Sequence, residues 1–353
     1  NTARARIRSL STVAGRSRSS LKSQVPILGS LNHVPAMCMG GFDWDDLEGQ
    51  AAEKGLQGQG TAAPLDPLVA LSWNTLAPCH LHGHGEAAGS EAEHPEAFLA
   101  RHARLLGAVA SAGADLVCVQ DYWFDPRLLA QYKTQLKELG YEQDAARHVS
   151  AEGGLDESGV ALFWRTDSLR LALSSQLRPS KDRVGFFAVF RDVRALEYGP
   201  RLAVVCAQLE GGEAVALRNA RRVDQVQELL QQMTFELHHL PATTPVLVCA
   251  DLDGPLDDEV EAAMRDFGFQ HCRPTGAGGA VESSWSSHMW IRGPLDLEAV
   301  AVLPEGIPSE VVPSGPRIGG AAAGGDIDPS SMEDWGELSD HRPLKGTFRW
   351  PQA

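Results

Sequence analysis

Residues 68–76 read LVALSWNTL, a strand-length apolar run that closes on a polar amide, Asn74. The same grammar returns down the chain. DLVCVQ (115–120) stops before Asp121, RLAVVCAQL (201–209) carries Gln208, PVLVCAD (245–251) ends on Asp251, and HMWI (288–291) opens on His288. Short apolar runs of this kind, bounded by polar and turn residues, read as buried strands. GVALFW (159–164), FFAVFRDV (186–193), LEAVAVL (297–303) and KGTFRW (345–350) bring the number to nine. Polar residues that close successive strands gather along one edge of a sheet.

Between the strands, residues 96–112, 126–139, 214–239 and 257–267 carry apolar residues at helical spacing. The longest puts Val215, Val223, Val226, Leu229, Leu230 and Met233 on one stripe, the pattern of a helix packed on a core. Each sheet needs its second face covered. Nine strands and four helices in mixed order therefore predict an α+β fold, a four-layer αββα sandwich of two stacked, mostly antiparallel sheets flanked by helices.

The chain has 353 residues, 43% hydrophobic and 22% charged, an ordinary globular composition. No stretch approaches the ~18 consecutive apolar residues of a membrane span, so no transmembrane segment is expected. Net charge is −15, unevenly spread. Residues 1–42 hold six bases (Arg4, Arg6, Arg8, Arg16, Arg18, Lys22) and no acid, which leaves 25 bases against 46 acids, or −21, for the remainder. An acid-free Arg- and Ser-rich start has the composition of a transit peptide to a mitochondrion or chloroplast. A basic arm on an anionic partner and a solvated tail are the competing readings, the protein then being cytoplasmic. Residues 43–67 are acidic and Gly-rich and read as a linker, and 68–353 as the folded domain.

A body at −21 repels long duplex DNA, whose binders place Lys and Arg against phosphates. A small phosphorylated partner remains compatible with a local patch. The six cysteines (Cys38, Cys79, Cys118, Cys206, Cys249, Cys272) show no C-x-x-C spacing, which argues against a zinc ribbon. Cys118, Cys206 and Cys249 lie within apolar runs, where a thiol acts as a small hydrophobe, and a reducing compartment is expected. Two loops, 81–96 and 304–336, exceed ordinary connection length. HLHGHGE (80–86) supplies His80, His82 and His84, with His94 beyond, but its glycines and acids favour a solvated loop over a transition-metal site.

Taken in order, the strand-end motifs are SWNTL (Asn74), CVQD (Asp121), CAQLE (Gln208), RRVDQ (Arg222, Gln225), VCADLDG (Asp251, Asp253), SHMWI (His288) and ELSDHRPL (Asp340, His341). Over residues 68–350 this series resembles the endonuclease/exonuclease/phosphatase superfamily, particularly its carbon-catabolite-repression deadenylase, nocturnin and Angel-like branch. That family's pattern runs W-N-x-L, L-Q-E, T-H-L, R-x-x-Q, G-D-F-N, D-Y-I and S-D-H. The resemblance implies the αββα sandwich and a Mg²⁺- or Mn²⁺-dependent hydrolysis of phosphate esters on a nucleotide or short RNA. Such chemistry needs a hard cation on the phosphoryl oxygens, a base for water and donors for developing charge. By the resemblance, Asn74 and Asp121 would be the metal side, and Asp340 would support the metal or the histidine. Asp251 would orient or deprotonate water, His341 would contact the phosphate, and Arg222 would contact substrate. Arg222 and Gln225 also read as a solvated helix face, and Trp73 and Trp164 as core.

Four departures point to decay. Asp121 stands for the family's Glu, withdrawing the carboxylate by about 1.5 Å, and a shift of about 1 Å costs on the order of 10²-fold in rate. Asp253 stands for Asn, and two unit charges 4 Å apart repel by about 4 kcal/mol at an effective dielectric near 20. Gln208 stands for His. His288 stands for the Asp that orients His341, a type of loss that costs about 10⁴ in a serine protease. The reading that follows is an ancestral phosphodiesterase with impaired catalysis, serving as an interaction subunit with protein partners in an organellar complex. The alternative is a working phosphoesterase.

Overall fold

The computed structural model describes residues 65–81, 91–150, 153–195, 199–209, 215–252, 256, 258–274, 287–305, 338, 339 and 341–350, with backbone alone for 215–219. All belong to the unit Ala63–Ala353. The expected basic arm, most of the linker, His82, His84, Asp253, Asp340 and most of the 304–336 loop lie outside the described residues.

Among the described residues, twelve strands form two six-stranded sheets. The first takes β1 (Leu68–Asn74), β2 (Leu116–Trp123), β3 (Tyr141–Val149), β4 (Leu155–Arg165), β11 (Asp296–Val302) and β12 (Leu344–Arg349) in the order β11-β12-β1-β2-β4-β3. The second takes β5 (Leu169–Leu177), β6 (Gly185–Asp192), β7 (Arg201–Gln208), β8 (Val246–Asp251), β9 (Gln270–His271) and β10 (Ser287–Arg292) in the order β5-β6-β7-β8-β10-β9. Helices α1 (Pro95–Ser111) and α2 (Pro126–Glu138) cover the first sheet, and α3 (Val215–Leu237) and α4 (Asp258–Asp266) the second. The four-layer sandwich expected from the sequence is the fold, and all four helices fall within two residues of their expected bounds.

Local chemistry explains the helices. Pro95 and Pro126 open α1 and α2, where the missing N–H costs nothing. Asp125 caps α2 by accepting from Arg127 N at 2.8 Å. On α3, Val226, Leu229, Leu230 and Met233 are buried against the outer face of the second sheet, as the stripe requires.

Both sheets follow one plan. Each has a single parallel pair at its centre, β1 with β2 across α1 and β7 with β8 across α3, and every other pairing is antiparallel. The inner faces of the sheets interlock through Leu68, Ala70, Leu116, Cys118, Cys206, Leu247, Cys249, Met289 and Phe348, all fully buried. Cys118, Cys206 and Cys249 are free, buried thiols of this layer, and Trp73 and Trp164 are core residues at 0% and 3% exposure.

Three strands escaped the sequence reading: β3, β5 and the two-residue β9. All lie at sheet edges. Two register shifts flank one glycine of β4. Gly159 pairs with Tyr122 beside the shift between Gln120 and Tyr122 on β2, and with Arg147 beside the shift between Arg147 and Val149 on β3. A Cβ at Gly159 would come within 2.1 Å of Ala146 O. Gly159→Ala is expected to lower the unfolding free energy by about 1–3 kcal/mol or more, measured by urea denaturation, because the obstruction is backbone and has no rotamer to yield.

Candidate functional site at the strand ends

The parallel pairs end together. Asn74 is in register with Gln120, and Gln208 with Asp251. Strand pleating puts Asn74, Gln208 and Asp251 on the inter-sheet face, in line with the buried Ala70, Cys206 and Cys249. Asn74 Nδ2 donates to Asp251 Oδ2 at 2.5 Å, and Gln208 Nε2 donates to Asp121 Oδ1 at 2.9 Å. Each sheet thus sends one amide to a carboxylate of the other. All four side chains are at least nine-tenths buried.

Asp121 reaches this position through a bulge. Regular alternation would aim it toward the helices, the side that Val119 packs. It is instead the extra residue of the β2 register shift, at φ +54°, a left-handed conformation that Asp adopts more readily than most residues. Bulges re-aim side chains in this way beside functional sites.

The S-D-H segment is tied to the same place. Ser339 Oγ donates to Asn74 O at 2.8 Å and accepts from His341 N at 3.0 Å, while Trp73 Nε1 donates to His341 O at 2.9 Å. Beneath them Arg101, 5% exposed, pairs with the buried Glu91 at 2.6 Å. Its guanidinium also donates to Thr75 O, Leu76 O and Leu338 O. This buried pair, unmarked by any motif, fastens the end of β1 to the residues before Ser339.

The structure therefore brings Asn74, Asp121, Gln208, Asp251 and the His341 backbone to one edge. His288 is different. It shares the helix-side face of β10 with Trp290, their rings 5.5 Å apart, and its Nδ1 lies 3.3 Å from His271 Nε2. The inter-sheet face of β10 presents Ser287 and Met289, so His288 occupies the opposite face from Asp251. Its alignment with the family's orienting acid is corrected by the pleat. The next acid along the chain, Asp296, is exposed at the start of β11. Arg222 and Gln225 are buried, at 3% and 5% exposure, on the packed stripe of α3, which corrects the solvated-face reading.

Sequence reasoning missed His148. It is fully buried on β3, and its Nε2 lies 3.0 Å from Gln208 Oε1. Burial, aided by the charge of Arg183, holds its pKa down to about 4. At the rim, His80 Nε2 is 3.9 Å from Asp121 Oδ1. Burial and the charges of Asp121, Glu157 and Asp156 push the Cys79 thiol up to about 12, so it stays protonated and is no nucleophile at neutral pH.

Asn74 and Asp121 suit a hard cation in donor type. Asp121 Oδ1 takes the Gln208 amide, and Oδ2 accepts no hydrogen bond among the described residues. Asn74 Oδ1 accepts Leu76 N at 2.9 Å and keeps a second lone pair. Among the described residues no group of three or more His, Cys, Asp or Glu is placed to hold a metal.

His148 and His271 (pKa about 3) are neutral when folded, whereas unfolded imidazoles bind protons below about pH 6.5. Unfolding then takes up protons, so their contribution is complete above pH 6.5 and falls as pH drops from 6.5 toward 4. Each is expected to add about 1.4 kcal/mol per pH unit to the slope in that window. His148→Gln should remove one such increment, read from urea unfolding at pH 6.0, 5.0 and 4.5.

No protein-family model matches the sequence, and no curated protein matches it. Solved structures do match in shape. The catalytic domain of human nocturnin with a bound sulfate anion superposes with a TM-score of 0.55 at 17% identity, covering 82% of this chain and 97% of that one. ANGEL2, a 2′,3′-cyclic phosphatase, gives 0.56 at 13% identity over 80% and 95%. A mannosyl-6-phosphatase from Bacteroides thetaiotaomicron gives 0.52 at 15% identity over 80% and 100%. Two stacked six-stranded sheets flanked by helices are thus a fold that this chain shares with solved endonuclease/exonuclease/phosphatase structures, to which the motif series pointed.

Proposed function

We propose that this chain is a phosphodiesterase scaffold with a degraded active site, a pseudoenzyme that acts as an interaction subunit in an organellar assembly. One observation carries the reading: β10, SHMWIR, contains no carboxylate, and its inter-sheet face offers Ser287 and Met289 where the family pattern requires an acid to orient the catalytic histidine. Loss of an orienting carboxylate of that kind costs about 10⁴ in the analogous protease case. The Gln208 amide adds to the loss, since one of its N–H groups is committed to Asp121. The acid-free basic stretch 1–42 supports a mitochondrial or chloroplast address.

A second reading, a metal-dependent phosphoesterase on a nucleotide or short RNA, is favoured by the carboxylate of Asp121, held through Oδ1 with Oδ2 uncommitted. Asn74 and Asp121 would hold Mg²⁺ or Mn²⁺. When bound, the ion would polarise a phosphoryl oxygen. Asp251, which accepts from Asn74, would orient water.

With Mg²⁺ or Mn²⁺, the purified chain is expected to release no more nucleotide from oligo(A), and no more phosphate from a mononucleotide, than its Asp251→Ala variant. Turnover that Asp251→Ala abolishes would establish the second reading instead. Residues 1–42 fused to a fluorescent reporter are expected to direct it to an organelle, and a diffuse cytoplasmic signal would remove that part of the proposal.

A further inference from the structure

The orientation of the Gln208 amide is dictated from a distance. Val184 N, a donor only, bonds His148 Nδ1 at 3.1 Å. Nδ1 must therefore be the unprotonated nitrogen of a neutral ring, and Nε2 must carry the hydrogen. That hydrogen meets Gln208 Oε1 at 3.0 Å, so the side of the amide facing His148 is its oxygen. The nitrogen is then turned to Asp121 Oδ1 at 2.9 Å. A backbone amide thus fixes a tautomer, the tautomer fixes an amide, and the amide fixes a carboxylate. Asp121 N, 3.4 Å from Gln208 Oε1, closes the ring of contacts.

The path is buried throughout: His148 is 0%, Gln208 8% and Asp121 7% exposed. Both outer members sit at register shifts, Asp121 on β2 and His148 on β3, so two of the three shifts described in the first sheet serve one polar chain. A protonated ring would place Nδ1–H against Val184 N–H, which opposes charging of the imidazole.

We infer that His148 is a positioning residue for Asp121: acting through Gln208, it clamps one carboxylate oxygen and leaves the other for a cation. The cation half of this inference rests on the reading of Asn74 and Asp121 as a Mg²⁺ or Mn²⁺ site; the clamp half does not. Carboxylates that ligate a metal are themselves held by hydrogen bonds, and removing such a partner lowers metal affinity by about 10- to 100-fold.

Nitrogen-15 NMR on the full chain separates the two halves. His148 is expected as the Nε2–H tautomer from pH 5 to 8, with the Gln208 side-chain amide protected from exchange. His148→Phe keeps a planar aromatic ring, slightly larger, and removes both nitrogens. It should reduce that protection about tenfold, the worth of one net hydrogen bond, and weaken Mn²⁺ binding, read by calorimetry, about tenfold. His148→Gln, which retains an N–H for Gln208 Oε1, should keep both within about threefold. Unchanged amide protection and Mn²⁺ affinity in His148→Phe would overturn the inference, as would an Nδ1–H tautomer in the wild type. Should His148→Phe fail to fold, Gln208→Leu tests the same chain from its middle, with a tenfold loss of Mn²⁺ affinity expected and an unchanged affinity overturning the inference. A wild type that takes no Mn²⁺ while protecting Gln208 supports the clamp and overturns only the cation reading of Asp121.

Discussion

Two hydrogen bonds between amides and carboxylates, Asn74 to Asp251 and Gln208 to Asp121, join the sheets at the ends of their central strands. They constrain the molecule because a buried carboxylate left unpaired costs about 1–3 kcal/mol or more. Each bond also crosses between sheets, so it forms only when both sheets hold their register. A slip of one residue would turn every side chain of a strand to the other face. The register is secured in turn by the apolar layer below, where Ala70, Cys206 and Cys249 lie two residues beneath or further along the same faces. The polar edge is therefore a readout of the core, and the core tolerates little movement because the edge must pair.

The shared plan of the sheets shows where regularity stops. Asn74 and Gln208 are equivalent, each ending the first strand of a parallel pair. Their carboxylate partners are not. Asp251 follows the pleat of β8, whereas the matching place on β2 belongs to Gln120, and Asp121 follows it through a bulge in a left-handed conformation. Gln120 is left to bridge inward, its Nε2 donating to Ser72 Oγ at 3.2 Å. An extra residue on β2 thus supplies a second polar group where the equivalent strand supplies one. Gly159 on β4 pairs with Tyr122 beside this bulge, and on its other side it leaves room for β3, where a Cβ would meet Ala146 O.

What could be read from the sequence follows from burial. Central strands such as β2, β7 and β8 are covered on both faces, so they appear as continuous apolar runs. The edge strands β3 and β5 have one covered face, and YEQDAARHV and LRLALSSQL carry only half the signal. β5 does alternate at period two over its first residues, which is the cue that identifies it. His148 was lost with β3: nothing around it in the sequence distinguishes a clamp from a surface imidazole. His288 shows the converse fault. Matching it to a motif ignored the alternation of Met289 and Ile291, which face the inter-sheet core and place His288 behind it. Arg101 and Glu91 belong to no motif because their work is to hold carbonyls, a task any chain position can supply.

This division bears on which strand-end residues the fold itself needs. Asn74, Gln208, Asp251 and Ser339 each fill a hydrogen bond the fold requires, so stability alone is a reason for them to stay. An acid on β10 would hold a histidine for chemistry and would otherwise sit as an uncompensated charge between two sheets, beside Asp251. Under the proposed loss of turnover, that acid would carry a cost and no return, and Ser287 or Met289 in its place would relieve the repulsion. On that proposal the residues kept would be those with a structural partner in hand, and the acid absent from β10 the one whose partner would have been catalytic. A site lost in this order would retain its shape after its reaction, which is the condition for reuse as a binding surface.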